Sequence, residues 1–155
     1  MGSKILIIDD DPIIRDSLQE LLSNAGYAVL LAADGISGFE LVAREKPDLI
    51  VADILLPRMH GIALCEKVKG SDELRYIPII LMTGVYKDVN LRMYVHKRLA
   101  DDFIEKPFRE GDLLAKIERL IGKPPEKSVV LEADRPTPVP ERKLDDLISW
   151  ARGKK

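Results

Sequence analysis

Short, unbroken apolar runs alternate along this chain with longer stretches in which apolar residues recur every three or four positions. Residues 4–8 (KILII), 28–32 (AVLLA), 48–52 (DLIVA) and 77–82 (IPIILM) predict strands, and 101–104 (DDFI) predicts a shorter fifth. Continuous apolar runs mark strands covered on both faces, whereas a half-exposed strand would alternate. Between them, Ile14, Leu18, Leu21, Leu22 and Ala25 keep helical spacing up to Gly26, a stop signal. Phe39, Val42 and Ala43 predict a second helix, and Ile62, Cys65 and Val68 a third. A fourth falls within 86–98, where Tyr86-Val89-Met93 and Leu91-Val95-Leu99 form two apolar rows. One row suffices to cover a sheet, so the second is either a partner surface or part of a wide core-facing side. Leu113, Leu114, Ile117, Leu120 and Ile121 predict a fifth helix, ended by Gly122.

Strict alternation of strand and helix implies a parallel sheet with helices on both faces. The expected architecture is a doubly wound (βα)5 fold with five parallel strands in the flavodoxin-like order 2-1-3-4-5. Sites in such sheets form at the carboxyl ends of the strands, where the strand order reverses. Residues 4–122 make up this expected domain. Pro124, Pro125, Pro136, Pro138 and Pro140 then predict an extended linker over 123–140. Residues 141–155 form an expected amphipathic tail helix, with Leu144, Leu147, Ile148 and Ala151 on one face and the only tryptophan, Trp150, among them.

Composition narrows the class of protein. Of 155 residues, 46% are hydrophobic and 32% charged, with net charge −2, which fits a globular chain and gives no basic bias for nucleic acid. No direct DNA binding is expected of it. Cys65 is the only cysteine, so no intrachain disulfide can form, and a reducing compartment is expected. The spacing makes Cys65 a small core residue. No apolar stretch is long enough for a bilayer, and Met1-Gly2-Ser3 leads into the first strand without a signal-peptide pattern. The expected location is cytoplasmic, with no membrane contact.

The first strand ends in Asp9, Asp10 and Asp11. Two like charges about 4 Å apart cost roughly 4 kcal/mol at an effective dielectric near 20, so the run needs a reason. Asp11 precedes Pro12, which is favoured at the first helical position, so Asp11 is expected to cap the first helix. Asp9 and Asp10 remain at the strand end, and Asp53 ends the third strand at the corresponding place. Clustered carboxylates with water suit Mg²⁺. The fourth strand ends in Thr83, and Lys106 follows the fifth. A hydroxyl and an ammonium beside a metal-bound carboxylate are what the oxygens of a phosphoryl group require. His60 and His96 have no ligand partner by spacing.

The pattern "IIDDDP … IVADILLPRMHG … ILMTG … FIEKPF" closely resembles the receiver domain of two-component response regulators (CheY-like), across residues 4–121. The resemblance implies that Asp53 is the phosphoacceptor. It makes Asp10 a direct Mg²⁺ ligand, Asp9 a support through water, and the backbone carbonyl of Leu55 a further ligand beside Asp53. Thr83 and Lys106 would bind phosphoryl oxygens, and Phe103 would be the aromatic switch partner of Thr83. Pro57, Met59 and Gly61 match the family's loop after the acceptor, and a cis peptide between Lys106 and Pro107 is implied.

The implied function is transfer of a phosphoryl group from the phosphohistidine of a sensor histidine kinase, or from a phosphotransfer protein, to Asp53. The surface of the fourth helix, fifth strand and fifth helix would then change toward a downstream protein partner or a homodimer, for which the tail is the other candidate surface. The protein would catalyse only its own phosphorylation and slow dephosphorylation. Two other classes stay open. A Mg²⁺-dependent phosphohydrolase needs an acid/base carboxylate near its nucleophile, and two residues after Asp53 stands Leu55. A phosphorylation-independent interaction module of the same fold would not need the five-residue set.

Overall fold

The computed structural model describes residues 3–84 and 100–124. They form β1 (Lys4–Ile8), α1 (Pro12–Asn24), β2 (Ala28–Ala32), α2 (Gly35–Glu45), β3 (Leu49–Asp53), α3 (Gly61–Lys69), β4 (Ile79–Thr83), β5 (Asp102–Glu105) and α4 (Glu110–Ile121). The expected helix within 86–98, with its two apolar rows and His96, lies outside the described residues, as does Val85, two positions after Thr83. So do 125–155, which hold most of the expected linker and all of the expected tail helix.

The strands form one parallel sheet in the order β2-β1-β3-β4-β5. Successive side chains of a strand point to opposite faces, and both faces of this sheet are apolar. Ile5, Ile7, Leu49, Val51, Ile80 and Met82 pack with Leu18 and Leu22 of α1 and with Leu113 and Ile117 of α4. Leu6, Ile8, Ile50, Ala52, Ile79 and Leu81 pack with Val42 of α2 and with Leu64, Cys65 and Val68 of α3. The central strands β1, β3 and β4 are therefore almost wholly buried, as continuous apolar runs require. β2, at the sheet edge, keeps Ala28 exposed and Val29–Leu31 half-buried.

Local chemistry sets the element ends. Asp11 caps α1, its carboxylate accepting from the Ile13 amide at 2.9 Å. Asp34 caps α2 through the Ser37 amide at 2.7 Å. β4 starts at Ile79 rather than Ile77 because Pro78 lacks an amide donor, although its carbonyl still accepts from the Ile50 amide at 3.0 Å. β5 starts one residue later than expected. Asp101 serves as an anchor before it, its carboxylate accepting from the Ile79 amide at 2.8 Å and Lys69 Nζ at 2.9 Å. Ala43 is exposed; the buried side of α2 is instead Gly35, Gly38 and Val42, with Gly38 close against Ile8. β5 is tied to α4 by the buried Asp102, which takes ion pairs from Lys116 and Arg119.

Cys65 is fully buried and free, and burial pushes its thiol up to about 12. Since the thiolate is the reactive form, the native protein at pH 8 is expected not to react with an aromatic disulfide reagent. One thiol per chain should appear on adding denaturant. Stoichiometric reaction of the native protein would contradict the core placement.

Candidate functional site

The carboxyl edge of the sheet gathers the expected residues. Register pairs Ile8 of β1 with Ala52 of β3, so Asp9 and Asp53 follow on neighbouring strands. Neighbouring strands lie about 4.8 Å apart, which sets their backbones side by side. Asp9 is fully buried, Asp53 is 9% exposed, and Asp10 is exposed. One carboxylate oxygen from each of Asp9, Asp10 and Asp53 lies within 4.8 Å of the others. Hard oxygen donors at that spacing suit a small divalent cation.

Lys106 reaches into this cluster from the turn after β5. Its Nζ donates to Asp9 Oδ2 at 2.8 Å and to Asp53 Oδ2 at 2.9 Å. Burial by itself would depress the ammonium. The hydrogen bonds and charges of Asp9 and Asp53 outweigh it and hold the Lys106 pKa above its ordinary value. The Lys106 amide donates to the Thr83 carbonyl at 2.7 Å, and the next peptide, Lys106–Pro107, is cis, as the resemblance implied.

Thr83 ends β4 and is 2% exposed; its hydroxyl is buried and has no hydrogen-bond partner among the described residues. A buried hydroxyl normally finds a partner, so this one is available to a group entering the site. Phe103 is half-buried in β5, on the side where α2 and α3 pack. Leu55 donates its amide to Asp53 Oδ1 at 3.1 Å and is 57% exposed. Gly61 lets the chain return close to the end of β3, because a Cβ there would fall 2.5 Å from the Asp53 carbonyl oxygen. His60 precedes α3 without a side-chain capping bond.

The turn Asp9–Asp11 is held from two sides. Asp9 Oδ1 accepts from the Asp11 amide at 2.9 Å, and Arg15 Nη1 donates to the Asp9 carbonyl at 2.7 Å. Arg15 was not expected at the site; an arginine on the exposed-looking side of a helix pattern carries no sequence signal for such a contact. Arg58, in the loop between β3 and α3, was likewise not expected; its guanidinium lies 3.4 Å from Asp34.

Comparison with known proteins agrees with this geometry. A family profile described as response regulator receiver domain matches residues 5–118. Response regulator MprA of Mycobacterium tuberculosis is 36% identical over 121 residues, covering 78% of this chain and 51% of that protein. The chain thus spans about half the length of the curated relatives it matches. Among solved structures, the receiver domain of a signal transduction histidine kinase from Syntrophus aciditrophicus is 34% identical, with TM-score 0.71, covering 77% of this chain and 89% of that one. The receiver domain of a Pseudomonas aeruginosa sensor histidine kinase is 28% identical, with TM-score 0.72, covering 79% of this chain and 100% of that one; it carries a magnesium ion coordinated in its active-site cleft. Matched in sequence over most of its length and in fold to solved receivers, the chain belongs to the response regulator receiver family of two-component signalling.

Proposed function

We propose that the domain accepts a phosphoryl group on Asp53 from the phosphohistidine of a histidine kinase or phosphotransfer protein, in a reaction that requires Mg²⁺. The observation that carries this reading is the meeting of Asp53 with two further carboxylates, all within 4.8 Å, and with Lys106 at 2.9 Å. Asp9, Asp10, Asp53 and the Leu55 carbonyl are the residues that would hold the cation. When bound, it would neutralise charge gathering on the acceptor and phosphoryl oxygens.

An oxygen of Asp53 attacks phosphorus, the P–N bond of the donor breaks, and its electron pair stays on the imidazole, which takes up a proton from water. Lys106 moves from a carboxylate to a phosphoryl oxygen, and the buried Thr83 hydroxyl donates to another. The new bond of Thr83 biases Phe103, and the surface around β5 and α4 passes the change to a downstream partner. The protein acts as a signalling acceptor working in the cytoplasm. The test is phosphorylation of the full chain by acetyl phosphate, with Mg²⁺ and with chelator, followed by mapping of the modified residue. Modification that ignores the chelator would contradict the reading.

The lifetime of the acyl phosphate follows from Leu55. Its side chain cannot orient a water, and neither can that of Val85, two residues after Thr83 in the sequence. Hydrolysis is therefore expected to be slow. The double variant Leu55→Asn, Val85→Glu should lose phosphate several-fold faster, since a polar pair can position the attacking water. First-order decay at saturating Mg²⁺ measures this, and equal rates would remove these side chains from control of water access.

A further inference from the structure

The turn between β2 and α2 touches both halves of the site although none of its residues belongs to it. At one end, the Ala32 carbonyl accepts from the Asp9 amide at 3.1 Å, holding the turn that carries Asp9 and Asp10. At the other, the Gly35 amide donates to the Pro57 carbonyl at 3.3 Å, in the loop after Asp53. Asp34, one residue before, caps α2 with Oδ1 and faces Arg58 with Oδ2. Arg58 adopts a left-handed backbone at φ 69°, a conformation that a side chain disfavours. The packing at Gly35 is tighter than any side chain allows. A Cβ there would lie 2.0 Å from the Met59 carbonyl oxygen and 2.6 Å from Met59 Cβ. Backbone cannot rotate out of the way as a side chain can.

That loop is a stack of short turns. Met59 donates to Pro57 at 2.8 Å, Leu56 to Ile54 at 3.1 Å and Gly61 to Ile54 at 2.9 Å. These bonds tie the segment around Met59 to Ile54, the residue before Leu55. We propose that the β2–α2 turn is a buckle that fixes the spacing between the Asp9–Asp10 turn and the loop carrying Leu55, with Gly35 and Arg58 as positioning residues for cation binding. This rests on reading Asp9, Asp10, Asp53 and Leu55 as the Mg²⁺ site. Outer contacts of this kind commonly set metal affinity without touching the metal.

The experiment is calorimetric titration of the unphosphorylated full chain with MgCl₂, paired with thermal melting in chelator. Gly35→Ala should weaken Mg²⁺ binding about tenfold, the scale of a lost outer contact. Arg58→Gly removes the ion pair and also relieves the left-handed strain. It should weaken Mg²⁺ binding about threefold, the scale of one exposed ion pair, while melting no lower than wild type. That split between affinity and stability is what a merely structural role cannot produce. Wild-type affinity in Arg58→Gly and in folded Gly35→Ala overturns the proposal, as does a parallel loss of affinity and stability in Arg58→Gly. If wild type itself does not titrate, the cation site fails and takes the proposal with it.

Discussion

Asp53→Asn is expected to abolish phosphate incorporation while leaving the domain folded. The amide oxygen of asparagine can still accept from the Leu55 amide, which now donates to Asp53 Oδ1 at 3.1 Å. Lys106 keeps its bond to Asp9 at 2.8 Å. One of three neighbouring negative charges disappears, so repulsion at the strand ends falls. What is lost is the proposed nucleophile, because a neutral amide oxygen does not attack phosphorus. The rate with acetyl phosphate and Mg²⁺ should fall at least about 100-fold, as for removal of an acting nucleophile. The melting temperature should be equal to or higher than that of wild type. Incorporation at the wild-type rate would mean that another residue is the acceptor.

Lys106→Met should separate stability from cation binding in the opposite direction. Asp9 is fully buried, and the Lys106 ammonium is a main compensation for its charge. Removing one partner of a buried ion pair costs about 3–5 kcal/mol. Here the exposed Asp10 leaves the cluster open to water, and the Asp11 amide still serves Asp9, so a loss of about 3 kcal/mol is expected. For a domain of this size that is a fall of about 10 °C in melting temperature. The same substitution frees two carboxylate oxygens that the ammonium occupies, so Mg²⁺ should bind more tightly and its stabilising effect should grow. Phosphorylation should slow, since no ammonium meets the phosphoryl oxygens. A variant that melts with wild type and binds Mg²⁺ no better would contradict the ion-pair account. The Lys106 pKa is raised in the fold, so this stabilisation is complete below the ordinary value of 10.5 and is lost as pH rises through the folded value.

The likeness to solved receivers bears on the position of these groups. The Pseudomonas aeruginosa domain holds magnesium in its cleft on the same fold. Here the acidic cluster sits on strand ends whose positions depend on an apolar sheet packed on both sides. The carboxylates are therefore held close by packing and are compensated by Lys106 within the chain. A divalent cation would take over part of that compensation, leaving Lys106 free to turn to a phosphoryl oxygen.

What the sequence by itself determined was whatever depends on near neighbours or on a period. Unbroken apolar runs such as Ile5–Ile8 and Ile50–Ala52 specify strands buried on both faces, and strict alternation with helices leaves a parallel sheet. Asp11 before Pro12 specifies a cap, because the capping bond spans two residues. Strand-end carboxylates, a threonine and a lysine were visible as a set for the same reason: each sits within two residues of the end of its own run. Tertiary structure decided how they differ. Asp9 and Asp10 are adjacent in sequence, yet Asp9 is buried against Lys106, a residue 97 positions away, and Asp10 faces water. Helical spacing could not choose between Ala43 and Gly38 as the buried position of α2, because the choice depends on Ile8 beneath it. Arg15 on the Asp9 carbonyl, and Gly35 against Met59, arise only where separate elements meet. Periodicity carries the direction of a side chain relative to its own element; what it meets there is set by sheet register and by the packing of helices from distant parts of the chain.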